Sequence, residues 1–205
     1  FVKDGEEDNI FCSFHRQKQK MLKRNGKEYG RLSDHVGRYP VVMISPADNA
    51  LISEGSEERR KFMNKIISQY NAEYLDSALN YNKALQQRNR LLRDFSASNS
   101  FDDEMLSVWD SQLIRYGLFV YSERDILINE LIPVFREYYS MVSNEKEKVS
   151  LRYRSHLSGG DFTGILKDAI SKDRSLEYTT VGIHKDDLLF EMDGYSVRSL
   201  GSQGQ

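Results

Sequence analysis

One cysteine, Cys12, is all the chain has, so no disulfide closes within it and the lone thiol suits a reducing compartment. Only three prolines occur, Pro40, Pro46 and Pro133, which leaves long stretches free to run as uninterrupted helix. No apolar run approaches the roughly 18 residues of a membrane span, and no signal peptide precedes the first strand; a cytoplasmic protein without membrane contact is expected. The formal net charge is −2, so no global field draws the chain to nucleic acid or lipid, and any basic surface must be local. Catalytic constellations are equally scarce. His15, His35, His156 and His184 lie far apart, with no metal-ligand spacing to a cysteine pair. No serine sits in a nucleophile elbow. No G-x-x-x-x-G-K-[ST] loop occurs, and no run of four apolar residues ends in Asp-Glu. By itself the chain is expected to turn over no nucleotide and to hold no metal or stable cofactor.

What is present is 205 residues, room for one large or two small domains with a real core. A charged fraction of 29% suits long exposed helices. The pattern predicts an α+β fold in three parts: a β part over 1–45, a helical lobe over 46–177, and a β-hairpin with a loop over 178–205. Residues 10–15 and 17–24 alternate weakly, and Asn25-Gly26 is a hairpin turn. Lys18, Lys20, Lys23, Arg24 and Lys27 form either a face for phosphates or the solvated side of an edge ribbon. The run YPVVMIS at 39–45 predicts a buried strand, opened by Pro40 and ended by Pro46.

Helical spacing follows over 57–70, 72–95 and 101–143. Asn71 and Asp102 (or Ser100) are candidate caps, and Gly117 and Pro133 are candidate kinks or breaks. These helices predict an antiparallel hairpin or bundle. Residues 148–153 alternate as a strand, and Asp161 caps a helix over 162–172. Leu157-Ser158-Gly159-Gly160-Asp161 copies a transporter-type ATPase signature but lacks the following glutamine, so it is taken as the loop leading that helix. Residues 187–192 and 195–200 predict a closing hairpin around Asp193-Gly194. The sequence then ends on Gly201-Ser202-Gln203-Gly204-Gln205, a small hydroxyl-bearing loop of the kind that feeds a helix N-terminus and binds phosphate. That ending, with a start on Phe1 rather than Met, is expected of a piece from the middle of a longer protein.

The stretch 46–64, PADNALISEGSEERRKFMN, after its apolar strand, resembles the RecF family of bacterial recombination-repair proteins. The shared pattern is Pro46, Leu51-Ile52, Gly55, Arg59-Arg60 and Phe62. Tyr81 and LQQRNRLL at 85–92 are similar to the family's Q-R-N helix, GIHKDDL at 182–188 to its G-P-H-R-D-D-L, and Ser202-Gln203-Gly204-Gln205 to its signature loop. Departures are Ala47, Glu54, Ser56, Asn64, Ile183 and Lys185; lysine keeps the charge of the family's arginine but loses the bidentate fork.

The resemblance implies an ABC/SMC-type ATPase head whose Walker A lies before this chain and whose Walker B lies after it. Such heads dimerise around ATP and Mg²⁺, the signature loop of one protomer meeting the nucleotide of the other. Ser202, Gln203, Gly204 and Gln205 would then bind ATP in trans, and His184, Lys185, Asp186 and Asp187 would lie near nucleotide or DNA. The implied partners are DNA at single-strand/duplex junctions, RecR, RecO, RecA and a second copy in an ATP-dependent homodimer, with a role in recombinational repair and the SOS response. Arg59, Arg60, Lys65, Arg88 and Arg90 are candidate DNA contacts; the bland alternative is salt bridging on solvated helix faces, and the paired Arg59-Arg60 could also brace the lobe against the head. Two other functions compete: a self-sufficient helical interaction domain without nucleotide, and a head fragment of another SMC-like or OLD-type ATPase.

Overall fold

Two long helices, α3 (Ala72–Ser98) and α4 (Asp103–Ser143), dominate the computed structural model, which describes residues 1–3, 5–14, 20–144 and 147–197. Each starts on a side chain that satisfies a free helix amide. Asn71 accepts from the Tyr74 N–H at 3.0 Å, and Asp102 from the Met105 N–H at 2.9 Å. Each ends on an asparagine in the left-handed region, Asn99 and Asn144. The helices run antiparallel, because their partners descend in step: Arg88 meets Asp110, Tyr81 lies beside Gly117, and Asn71 reaches Glu123.

Gly117 and Pro133 break nothing, and α4 is continuous through both. Gly117 serves packing instead. A Cβ there would lie 2.8 Å from the Phe162 ring and 3.2 Å from the Tyr81 ring, so the missing side chain is what lets two aromatics close on α4. Pro133 is tolerated because it and Asn129, whose carbonyl it leaves without a partner, both face solvent.

The short helices α1 (Ala50–Ser53) and α2 (Ser56–Ile67) precede the hairpin, and α5 (Phe162–Leu176) follows it. Asp161 caps α5 through the Gly164 N–H at 2.8 Å. Leu157, in the turn ahead of it, is fully buried, so the LSGG stretch is a core-anchored lead into the helix.

Three small antiparallel sheets complete the described residues. β1 (Val2–Lys3) pairs with β2 (Glu6–Glu7). β3 (Ile10–Ser13), β4 (Met21–Arg24) and β5 (Lys27–Glu28) form a second, turned at Asn25-Gly26 with both residues at positive φ. β6 (Val149–Arg154), β7 (Asp187–Met192) and β8 (Tyr195–Ser196) form the third, registered from Val149 opposite Met192 to Arg154 opposite Asp187. Asp193-Gly194 makes the β7–β8 turn, again with both φ positive. One core joins α3, α4 and α5 around Tyr81, Leu113, Val120 and Phe162. A second joins α2 and α4 to the third sheet through Met63, Ile128, Leu151 and Leu188.

The strand expected over 39–45 is absent. Residues 41–44 pair with no strand, the Val41 N–H donating instead to the Gln69 side chain at 2.8 Å, and Val42 and Ile44 are 89% and 88% exposed. A strand needs a ladder partner, and no described residue supplies one. Pro46 opens a short 3₁₀ turn, Pro46–Asn49, as expected of a residue that ends extended backbone. In the basic ribbon, Arg24 is tied to Asp8 at 2.8 Å, while Lys18 lies outside the described residues.

Candidate functional site

Four elements meet at the turn that carries His184, Lys185, Asp186 and Asp187. The chain leaves α5, passes Thr179 and Thr180, tightens into a 3₁₀ turn over Ile183–Lys185, and enters β7. Gly182 makes the turn possible. Its φ is +122°, a region that side chains rarely adopt, and a Cβ there would sit 2.4 Å from the Tyr81 hydroxyl oxygen. The approach segment is pinned by α3. Arg88 donates to Asp173 at 2.6 Å, to Asp110 at 2.5 Å and to the Thr179 hydroxyl at 2.9 Å. Asn89 accepts from the Thr179 N–H and hydroxyl, both at 2.7 Å, and Asp173 accepts from the Thr180 N–H at 2.8 Å. The Q-R-N helix is therefore the clamp that holds the turn in place.

His184 sits in that clamp as a neutral ring. Its Nε2 lies 3.0 Å from the Thr179 carbonyl, which only an N–H can satisfy, so Nδ1 accepts from the Tyr81 hydroxyl at 2.9 Å. Burial pushes the imidazole down to about 4, and burial holds the Tyr81 phenol well above its ordinary value. At neutral pH neither group carries charge.

The two acids point inward. Asp186 accepts from Arg124 at 2.7 Å and from the Tyr153 hydroxyl. Arg124 also donates to the Ile183 carbonyl at 3.0 Å, the Tyr74 hydroxyl at 3.1 Å and Asn64 at 3.0 Å. Burial raises the Asp186 carboxyl above the ordinary carboxylate range, and the Arg124 guanidinium opposes that rise. Asp187 takes two bonds from Arg59, at 2.6 and 3.3 Å, and Arg59 donates through Nη1 to the Leu51 and Glu54 carbonyls at 3.0 and 2.9 Å. Arg60 donates to the Asp186 carbonyl at 2.8 Å and is half-buried. One stretch of four residues thus fastens α2, α4 and β6 to β7.

The candidate DNA contacts divide accordingly. Arg59 and Arg88, expected on a DNA-facing surface, are buried at 5% and 0% exposure and committed to internal carboxylates, a correction forced by the cost of leaving Asp187 and Asp173 unpaired in the core. Arg60 lines a cavity of about 280 Å³ with Lys61, Asn64 and His184. Lys65 is exposed, and Arg90 is exposed with a loose 3.7 Å pair to Asp94. Ser202, Gln203, Gly204 and Gln205 lie outside the described residues. Among the described residues no group of His, Cys, Asp and Glu could hold a metal ion, and no helix is long and apolar enough to cross a membrane.

Sequence reasoning passed over the hub of the network, Arg124. Its signal was a single charge in a buried stripe: Val120, Arg124 and Ile128 follow one another at helical spacing on the apolar face of α4. A charge on such a face needs an acid from elsewhere, and Asp186 is that acid.

No family model matches the chain. Among curated proteins, it is 45% identical over 98% of its length to the DNA replication and repair protein RecF of Phocaeicola vulgatus, covering 53% of that protein. It is 44% identical over 99% of its length to the RecF of Flavobacterium johnsoniae, covering 56% of it. Among solved structures it matches the recombination mediator protein RecF of the RecFOR pathway, as RecF-ATPrS at TM-score 0.88 and 26% identity and as RecF-ATP at 0.87 and 27%. Those matches cover 98% and 97% of this chain, and 56% and 55% of the solved ones. The chain spans about half the length of the curated relatives it matches. In sequence and in backbone, over nearly all of its residues, it is a stretch of the RecF family.

Proposed function

We propose that the chain supplies the helical lobe and closing loop of a RecF-type DNA-repair ATPase, acting through DNA and ATP together. The observation that carries this is 45% identity to a RecF over 98% of the chain. The RecF-ATP match adds that a relative of this fold binds the nucleotide.

The donor set of the closing loop fits a phosphate. Ser202 offers a hydroxyl, Gln203 and Gln205 offer amides, and Gly204 permits close backbone approach. ATP with its Mg²⁺ would supply the γ-phosphate charge that holds two protomers together and is lost on hydrolysis. Ser202 would hold that phosphate, and the clamp of Arg59, Arg124, Asp186 and Asp187 would hold the hairpin that leads to the loop in fixed register with the helices. The DNA-facing candidates that remain available are Arg60, Lys65 and Arg90. RecO, RecR, RecA and junction DNA are the partners the family resemblance supplies. The exposed apolar residues 41–44 would find their ladder partner in the half of a RecF-length protein that lies outside this chain.

The test is ATP-dependent dimerisation and binding to a gapped duplex by the full-length protein, with and without Ser202→Ala. Loss of the ATP dependence in the variant, with the unfolding temperature unchanged, supports the proposal. Hydrolysis by the 205-residue chain alone, abolished by Ser202→Ala, would overturn it, because a chain without a phosphate loop should have none.

A further inference from the structure

Beside the clamp lies a second cavity, of about 470 Å³, lined by Arg154, Ser155, His156, Lys172, Thr180 and Lys185 with Tyr178. We propose that it receives a backbone phosphate of a nucleic-acid strand. This rests on the DNA reading above and adds a site to it, since of the candidate residues first considered only Lys185 lines this cavity.

Three cations, Arg154, Lys172 and Lys185, and one histidine come from four places in the fold: the end of β6, the turn before α5, α5 itself, and the turn before β7. Tertiary structure gathers them, and no carboxylate lines the cavity. Like charges that converge repel unless an anion joins them. The acids bonded to the lining or beside it in sequence are already spent, Asp173 on Arg88 at 2.6 Å. Asp186 belongs to Arg124 at 2.7 Å, and Asp187 belongs to Arg59 at 2.6 Å, with Arg154 a second and looser partner at 3.4 Å. The acids of the turn are thus neutralised from the protein interior, and the cations on the outer side are left in excess.

Donors are also oriented. The Gly182 N–H donates to His156 Nδ1 at 3.2 Å, which places the neutral ring's proton on Nε2 as a donor. Lys185 Nζ lies 5.2 Å from the centre of the Tyr178 ring, an aromatic face that steadies the ammonium. The walls do not suit a nucleoside triphosphate, since they hold neither a glycine-rich loop nor an acid pair for a metal. Arg154, His156, Lys172, Tyr178 and Lys185 are all exposed, so the cavity is open to solvent and a long polymer can pass over it.

Lys172→Gln and Lys185→Gln in the full-length protein test the site, because neither lysine makes an ion pair among the described residues and the fold should survive both. Duplex and gapped oligonucleotide binding is followed by fluorescence anisotropy over a salt series, with Lys65→Gln as the comparison. Lysine acetylation is read by mass spectrometry with DNA, with ATP, and with inorganic phosphate at matched phosphate concentration. The expected result is a salt slope shallower by about 1 for each lysine removed, with DNA alone protecting Lys172 and Lys185. Unchanged slopes, or both lysines still reactive in the DNA complex, would overturn the site and leave the DNA reading standing. Protection by ATP or phosphate instead of DNA overturns the assignment to a strand. A wild-type protein that binds no DNA overturns the DNA reading itself, and the site with it.

Discussion

Gly182→Ala is the sharpest single perturbation of the clamp. Two costs arise separately. A non-glycine residue held at φ +122° costs on the order of 1–3 kcal/mol. The new Cβ would lie 2.4 Å from the Tyr81 hydroxyl and 3.1 Å from the Phe162 ring, both in the core. Tyr81 would have to shift, losing its 2.9 Å bond to His184, a bond of about 1 kcal/mol with a similar cost again for overpacking. The expected total is about 3–5 kcal/mol, against almost nothing for Gly30→Ala, whose Cβ meets open space. Urea unfolding of wild type, Gly182→Ala, Tyr81→Phe and the double variant separates the two costs. Removing the hydroxyl relieves the clash but not the backbone strain, and the bond to His184 is lost only once, so the double variant should be more stable than additivity requires, by about 2 kcal/mol. Strict additivity, or a Gly182→Ala protein within about 0.5 kcal/mol of wild type, would show that the turn is not wedged against α3 as described.

Three further outcomes follow from the same geometry. His184 has its folded value depressed to about 4 against roughly 6.5 unfolded, so its contribution is complete above pH 6.5 and is lost as pH falls toward 4, by at most about 3 kcal/mol; His184→Asn should flatten the stability–pH curve across that window, and an unchanged curve refutes the buried neutral ring. Arg59→Met should cost about 3–5 kcal/mol by leaving the buried Asp187 carboxylate with only its loose 3.4 Å contact to Arg154, with the salt slope of DNA binding unchanged, and a shallower slope would return Arg59 to the DNA surface. Arg90→Gln should alter stability by less than about 0.5 kcal/mol, since its 3.7 Å pair with Asp94 is exposed, and a larger loss in thermal unfolding would reveal a role that pair does not explain.

How legible these features were depended on how local they are. Asn71, Asp102 and Asp161 could be read as caps because the whole interaction lies within three residues. The turns at Asn25-Gly26 and Asp193-Gly194 were legible for the same reason. The run 39–45 was misread because apolar composition reports only that a segment wants cover, and a ladder partner is a non-local fact. Gly117 was misread as a kink because the reason for it, two aromatic rings from α3 and the start of α5, lies far away in sequence. Arg59 and Arg88 looked like surface charge because their acids, Asp187 and Asp173, stand 128 and 85 residues away.

That separation exposes a division of labour between the two cations. The arginines of the clamp are inside, where a planar fork satisfies a carboxylate and several carbonyls at once: Arg59 makes four such bonds, and Arg124 spans Asp186, Ile183, Tyr74 and Asn64. A lysine at either place would leave buried acceptors unpaired. Lys172 and Lys185 are outside, where a hydrated point charge suffices for a phosphate and no fork is required. Lys185 stands where the resembled motif has arginine, next to the two acids that do need arginine partners. The substitution falls on the one charged position of the stretch whose side chain faces solvent rather than the clamp. Local geometry therefore permits the change at Lys185 and forbids it at Arg59 and Arg124, so that Lys185→Arg should be silent in unfolding experiments while Arg124→Lys should be destabilising.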